Sequence, residues 1–166
     1  MLTSYGSYGC IAFDPGLTTG MAIYRGFTNG ERIIIGQFPH FRWVDYKIGQ
    51  LARDYDTVEV IAEKPFLTPR VNPIVFEVYG AIRERAYDYG LPFINQPPST
   101  PDFISRRYAD TLNAITCKEH ERDALCHLVR YLTHKKEIPF RSLIPLLENI
   151  ERLEYIPLRD YVNDNG

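Results

Sequence analysis

Apolar and polar positions change their period several times along this chain, and each change marks an element. Cys10 to Asp14 is a short apolar run ending on a carboxylate, and Gly20 to Tyr24 is a second. Runs this short, carrying Ile, Phe and Tyr, predict strands. Arg32 to Phe38, built around Ile33-Ile34-Ile35, predicts a third strand, with a hairpin turn over the Gly26–Gly30 region. Thr57 to Glu63 sets Val58, Val60 and Ala62 against Glu59, Ile61 and Glu63, the two-residue period of a strand. Leu91 to Asn95 predicts a fifth strand, closed by Pro97-Pro98. Helical spacing appears over residues 41–54, with Trp43, Tyr46, Ile48 and Leu51 facing inward. It returns from about Ile74 to Tyr89, stopped by Gly90, then over Glu119 to His134, and from about Arg141 to Leu153. Pro65 to Pro73 reads as a loop, and residues 101–116 as helix or loop.

The order β-β-β-α-β-α-β-α-α predicts an α/β fold. Its sheet is five-stranded and mixed: an antiparallel meander of the first three strands, then βαβ crossovers, with helices on the flanks. A chain of 166 residues with 45% apolar content can bury one substantial core, and twelve Tyr and nine Phe supply much of its packing. Residues 1–136 form the core unit, and residues 137–166 are expected to be a helical, acidic extension packed on the same domain. Cys10, Cys117 and Cys126 are odd in number and lack CxxC spacing, which fits a reducing compartment and argues against a zinc site. The opening residues do not read as a signal peptide, and no apolar run is long enough to span a bilayer, so a cytoplasmic protein without a membrane partner is expected.

The net charge of −2 does not by itself point to nucleic acid, but its distribution is uneven. Residues 1–63 carry five Lys/Arg against seven Asp/Glu, residues 64–136 eleven against eight, and residues 137–166 three against six. The middle of the chain is therefore electropositive. Solvated helix faces are the ordinary explanation for such a bias, and Arg106-Arg107 and Lys135-Lys136 alone mean no more than that.

The chemistry lies in three acidic positions. Asp14 is delivered by an apolar strand to the tight turn Asp14-Pro15-Gly16, where a buried carboxylate is costly without a partner. Glu63 ends the fourth strand, which a crossover lays beside the first. Asp123 sits in His120-Glu121-Arg122-Asp123-Ala124-Leu125-Cys126-His127, where His120 and Asp123 share a helix face, His127 lies one turn further on, and Glu121 points elsewhere. Carboxylates with an imidazole form a donor set for a hard cation such as Mg²⁺ or Mn²⁺. Taken singly, Asp14-Pro15-Gly16 is a turn, Glu63 a solvated strand end, Phe66 a core aromatic and His127 a partly buried helix residue.

In these positions the chain resembles the RuvC-type Holliday-junction resolvases of the ribonuclease H-like superfamily, and most of all their compact phage-type members. The residues concerned are Asp14-Pro15-Gly16 with Thr19-Gly20, Ile61-Ala62-Glu63 with Phe66 three residues on, and His120-x-x-Asp123-Ala124-Leu125. Leu91-Pro92 and Pro98 sit where the family has its fifth strand and a following proline, and the resemblance spans about residues 8–134. The chain departs from the pattern in the loop from Ser99 to Lys118, which lacks a Gly/Lys-rich run, and in its acidic tail.

The resemblance implies a structure-selective endonuclease acting on Holliday junctions or other branched DNA, as a homodimer, in the host cytoplasm if phage-encoded. It implies two Mg²⁺ (or Mn²⁺) ions per active site and products with a 5′-phosphate and a 3′-hydroxyl. Asp14 would bridge the ions, Glu63 and Asp123 would each bind on one side, and His120 would be a ligand or orient the water. Phe66 could stack on an unpaired base, and Arg70, Arg106, Arg107, Lys118 and Arg122 are candidates for DNA contact. A flap or RNA–DNA hybrid nuclease of the same fold and a non-catalytic DNA-binding relative remain as alternatives. A phosphate-binding ATPase of the actin/sugar-kinase type shares Asp14-x-Gly16-x-Thr18-x-Gly20 but needs a second domain that 166 residues do not supply.

Overall fold

The computed structural model of the chain describes residues 6–26, 30–39 and 41–154, apart from the side chains of residues 41–43. Its strands are β1 (Tyr8–Asp14), β2 (Thr19–Gly26), β3 (Arg32–Phe38), β4 (Thr57–Glu63), β5 (Phe93–Gln96) and β6 (Glu151–Arg152). Its helices are α1 (Phe41–Asp54), α2 (Pro73–Asp88), α3 (Thr100–Arg107), α4 (Ala109–Leu112), α5 (Glu119–His134) and α6 (Phe140–Glu148). The sheet runs β5-β4-β1-β2-β3-β6. β1, β2 and β3 form an antiparallel meander, while β4 is parallel to β1 and β5 parallel to β4. This is the mixed sheet that the order of elements predicts.

Both faces of the sheet are covered, which is why its central strands read as nearly continuous apolar runs. On one face Ile11, Phe13, Ile23, Val58 and Val60 pack with Val44, Ile48 and Leu51 of α1 and with Val78, Ile82 and Ala86 of α2. On the other, the small residues Cys10, Ala12 and Ala22 meet Ala124, Leu125 and Leu128 of α5. Small side chains there let α5 lie close to the strands. α2 begins where Asn72 caps the Ile74 amide and Pro73 takes the first helical position. It stops at Gly90, whose φ of +66° is left-handed and suits glycine.

Two expectations are corrected. Tyr46 is 51% exposed rather than inward, although Ile48 and Leu51 are fully buried as expected. The final helix does not run to Leu153: α6 ends at Glu148, and Glu151–Arg152 joins the sheet as a sixth strand, parallel to β3 at Ile34 and Ile35. The reason is the open edge of β3, whose unpaired main-chain groups are met by this segment, with the Leu153 amide donating to the Ile35 carbonyl at 2.8 Å. The tip of the predicted hairpin turn (27–29), the Trp43 side chain and the tail (155–166) lie outside the described residues.

Candidate active site

Asp14 and Glu63 end two parallel neighbours. Phe13 pairs with Ala62, so the next residue on each strand brings a carboxylate to the same edge of the sheet. In open α/β sheets this carboxyl-terminal edge, at a change of strand order, is where ligands bind. Asp14 also stands opposite Gly20 across the antiparallel pair. The turn between them is closed by Thr19, whose hydroxyl donates to the Gly16 carbonyl at 3.1 Å.

Gly20 determines what reaches Asp14 from the helical layer. A Cβ at this position would overlap the main-chain carbonyl of His120. Without it, the first turn of α5 rests on the backbone of β2, and His120 Nδ1 donates to Asp14 Oδ2 at 2.7 Å. His120 Nε2 is the ring nitrogen that Asp14 does not engage. Asp123 follows one turn along the same face.

Burial raises the Asp14 carboxyl to about 6, with His120's hydrogen bond pulling down and Glu63 and Asp123 pushing up. Burial also raises Asp123, again with Glu63 adding to the shift. Three carboxylates thus repel one another at one strand edge, and the groups that relieve them are imidazoles. That shortage of positive charge is what a divalent cation removes, and the oxygen and imidazole donors present suit Mg²⁺ or Mn²⁺. The donor chemistry therefore fits a hard cation. Among the described residues, however, no three His, Cys, Asp or Glu side chains already close on one point. Asp14 and Glu63 are instead each held by a histidine.

The four candidate catalytic residues Asp14, Glu63, His120 and Asp123 are therefore neighbours. The candidate DNA-contacting residues are more dispersed. Phe66 is 63% exposed in the loop after β4, not in the core, and Arg70 is exposed in the same loop. Lys118 is exposed beside the first turn of α5. Arg122 turns to the Ile115 carbonyl at 3.2 Å, Arg106 to the Asp102 carbonyl, and Arg107 lies over the Tyr108 ring. Arg106 and Arg107 are nonetheless exposed, and Arg122 is half-buried.

No protein-family model matches this chain, and no curated protein does. Solved structures do match. The structure of Thermus thermophilus RuvC is similar over 78% of this chain and 96% of its own, with a TM-score of 0.57 and 13% identity. RuvC from the same organism in complex with a Holliday junction substrate matches over the same shares, with a TM-score of 0.57 and 14% identity. This chain has a RuvC-like fold.

Within the RuvC-like fold, two buried side chains of α5, His127 and Glu121, make contacts around the site whose distant partners, Gln96 and Arg152, no local pattern marks. His127, fully buried, places Nε2 at 2.9 Å from Glu63 Oε2 and Nδ1 at 2.9 Å from Gln96 Oε1. Its position one turn after Asp123 was a signal, but nothing local marked Gln96. Glu121, only 1% exposed, accepts from the Lys118 amide at 2.8 Å and pairs with Arg152 of β6 at 3.1 Å. Arg152 also donates to the Thr116 carbonyl at 2.7 Å, so the sixth strand clamps the turn that begins α5.

Proposed function

We propose that the chain is a metal-dependent, structure-selective endodeoxyribonuclease that cuts four-way junctions or other branched DNA. The observation that supports this reading is that Asp14 and Glu63 end β1 and β4 side by side, with His120 bonded to Asp14 and Asp123 near enough for its charge to be felt by Asp14. Asp14, Glu63 and Asp123 would hold Mg²⁺ or Mn²⁺, two ions per site, which when bound supply charge neutralisation at the scissile phosphate and acidify water. His120 is oriented by its bond to Asp14, and its Nε2 is free to accept a proton from attacking water. Phe66 offers an exposed ring for an unpaired base at a branch point, and Arg70 and Lys118 offer cations to the flanking phosphates. Paired cuts on two strands require two such sites, hence a homodimer.

The test is cleavage of a panel of four-way, flap, fork and RNA–DNA hybrid substrates with Mg²⁺ or Mn²⁺. Cutting of branched DNA that disappears in Asp14→Asn, with binding retained, is the expected result. Persistent cutting by Asp14→Asn would remove the metal-ligand assignment, and preference for the hybrid would replace branched DNA as the substrate.

A further inference from the structure

We infer that His127, locked by Gln96, is a positioning residue that sets the carboxylate of Glu63 for the site proposed above, and the inference rests on that nuclease reading. His127 is completely buried and Gln96 is 6% exposed, on α5 and at the end of β5. Gln96 grips one residue twice. Its Nε2 donates to the His127 main-chain carbonyl at 3.2 Å, and its Oε1 faces His127 Nδ1 at 2.9 Å. Turning the amide over would set its oxygen against that carbonyl, so the helix backbone fixes which way the amide points. An oxygen facing Nδ1 requires an N–H there. The ring is thereby held in one plane, with Nε2 aimed at Glu63 Oε2 at 2.9 Å.

The location is an expensive one for such a group. The neighbouring positions of α5, Leu125, Cys126, Leu128 and Val129, are all fully buried, and an apolar residue at 127 would fill the core without needing partners. A buried imidazole is tolerated here because both nitrogens have partners: the Nδ1–H donates to Gln96 Oε1, and Nε2 and Glu63 Oε2 share the one proton that a hydrogen bond between them needs. The link joins β4, β5 and α5 at one point. Asp123 lies one turn before His127 on the same helix, so the link also sets Glu63 relative to Asp123. A glutamate left free must lose rotamer freedom when it binds a cation, and one held by a hydrogen bond has already lost part of it. Outer hydrogen-bond partners of ligating groups commonly change metal affinity or activity by about 10–100-fold.

The test uses the full chain and three variants: His127→Leu, Gln96→Leu and Glu63→Gln. Mn²⁺ binding to the DNA-free protein is followed by electron paramagnetic resonance, and cleavage of a four-way junction is measured across a Mn²⁺ titration. We expect Mn²⁺ affinity to fall about tenfold or more in His127→Leu, and by a smaller factor in Gln96→Leu. High Mn²⁺ should restore cleavage to both but not to Glu63→Gln. In ¹⁵N-histidine spectra, the slowly exchanging Nδ1–H of His127 should be lost in Gln96→Leu, which keeps the test open if His127→Leu fails to fold. Inactive Glu63→Gln alongside Leu variants with unchanged Mn²⁺ affinity and cleavage would overturn the positioning role alone. Wild-type cutting by Glu63→Gln would instead overturn the nuclease assignment of Glu63.

Discussion

Gly20 on β2 lies directly beneath the main-chain carbonyl of His120 on α5, with no room for a side chain between them. That contact is main chain against main chain, so a methyl group there cannot be absorbed by rotating a side chain. Gly20→Ala must lift the first turn of α5 off the sheet and carry His120 away from Asp14. We expect a stability loss of about 1–3 kcal/mol or more, measured by urea denaturation, and a larger proportional loss of junction cleavage. Full activity in Gly20→Ala would show that the His120–Asp14 contact is dispensable.

Asp14 makes the metal-free protein sensitive to pH. Its carboxyl has an ordinary value of 3.8 and is raised by burial to about 6 in the folded chain. The folded state therefore holds this proton more tightly than the unfolded state does. The stabilisation from protonated Asp14 is complete below about 4 and is lost as pH rises through about 6. The loss is on the order of 1–3 kcal/mol. Asp14→Asn should remove it, so the variant should melt several degrees above the wild type at pH 7.5 in EDTA and converge with it below pH 4. Adding Mn²⁺ should raise the wild-type melting temperature and leave that of Asp14→Asn nearly unchanged. Identical melting curves across the pH range would count against a buried, repelled carboxylate at this position.

The parts of this site that the sequence made legible are those governed by local periodicity and by the crossover rule. Asp14 and Glu63 could be brought together because both end apolar runs and a βαβ connection sets such strands side by side. His120 and Asp123 could be paired because three residues make nearly one helical turn. Gln96 and Arg152 could not be found in this way. Each reaches the site across 31 or 36 residues of chain through a single side chain, and no period records such a contact. β6 was hidden for a related reason: the helical spacing of Leu143 and Leu147 runs on in pattern to Leu153, whereas the open edge of β3 captures residues 151 and 152. Composition leaves Phe66 either a core aromatic or a candidate stacking ring, and its exposure in the loop after β4 removes the first reading.

Arg152 and Glu121 should be energetically coupled. Glu121 is buried to 1% exposure and relies on the Lys118 amide and the Arg152 guanidinium for compensation. Removing the cation alone leaves a buried charge under-compensated, so Arg152→Met should cost about 1–3 kcal/mol. Arg152→Met in a Glu121→Gln background should cost less, with a coupling energy above about 0.5 kcal/mol in a double-mutant cycle. Arg152→Met should also slow cleavage, because the turn it holds leads directly into His120. Additive costs in the cycle would mean that β6 holds the edge of the sheet without bracing the site.

Phe66 should separate DNA recognition from stability. Its ring is 63% exposed and its neighbour Leu67 is 91% exposed, two large apolar side chains side by side next to the candidate ligand Glu63. Removing an exposed ring should change folding stability by no more than about 0.5 kcal/mol. If the ring stacks on an unpaired base at the branch point, Phe66→Ala should weaken binding to a four-way junction by about 1–3 kcal/mol, read by fluorescence anisotropy at fixed salt. Binding to an unbranched duplex, which presents no unpaired base, should hardly change. Equal weakening on junction and duplex would assign Phe66 to general surface contact, and a large stability loss would return it to the core.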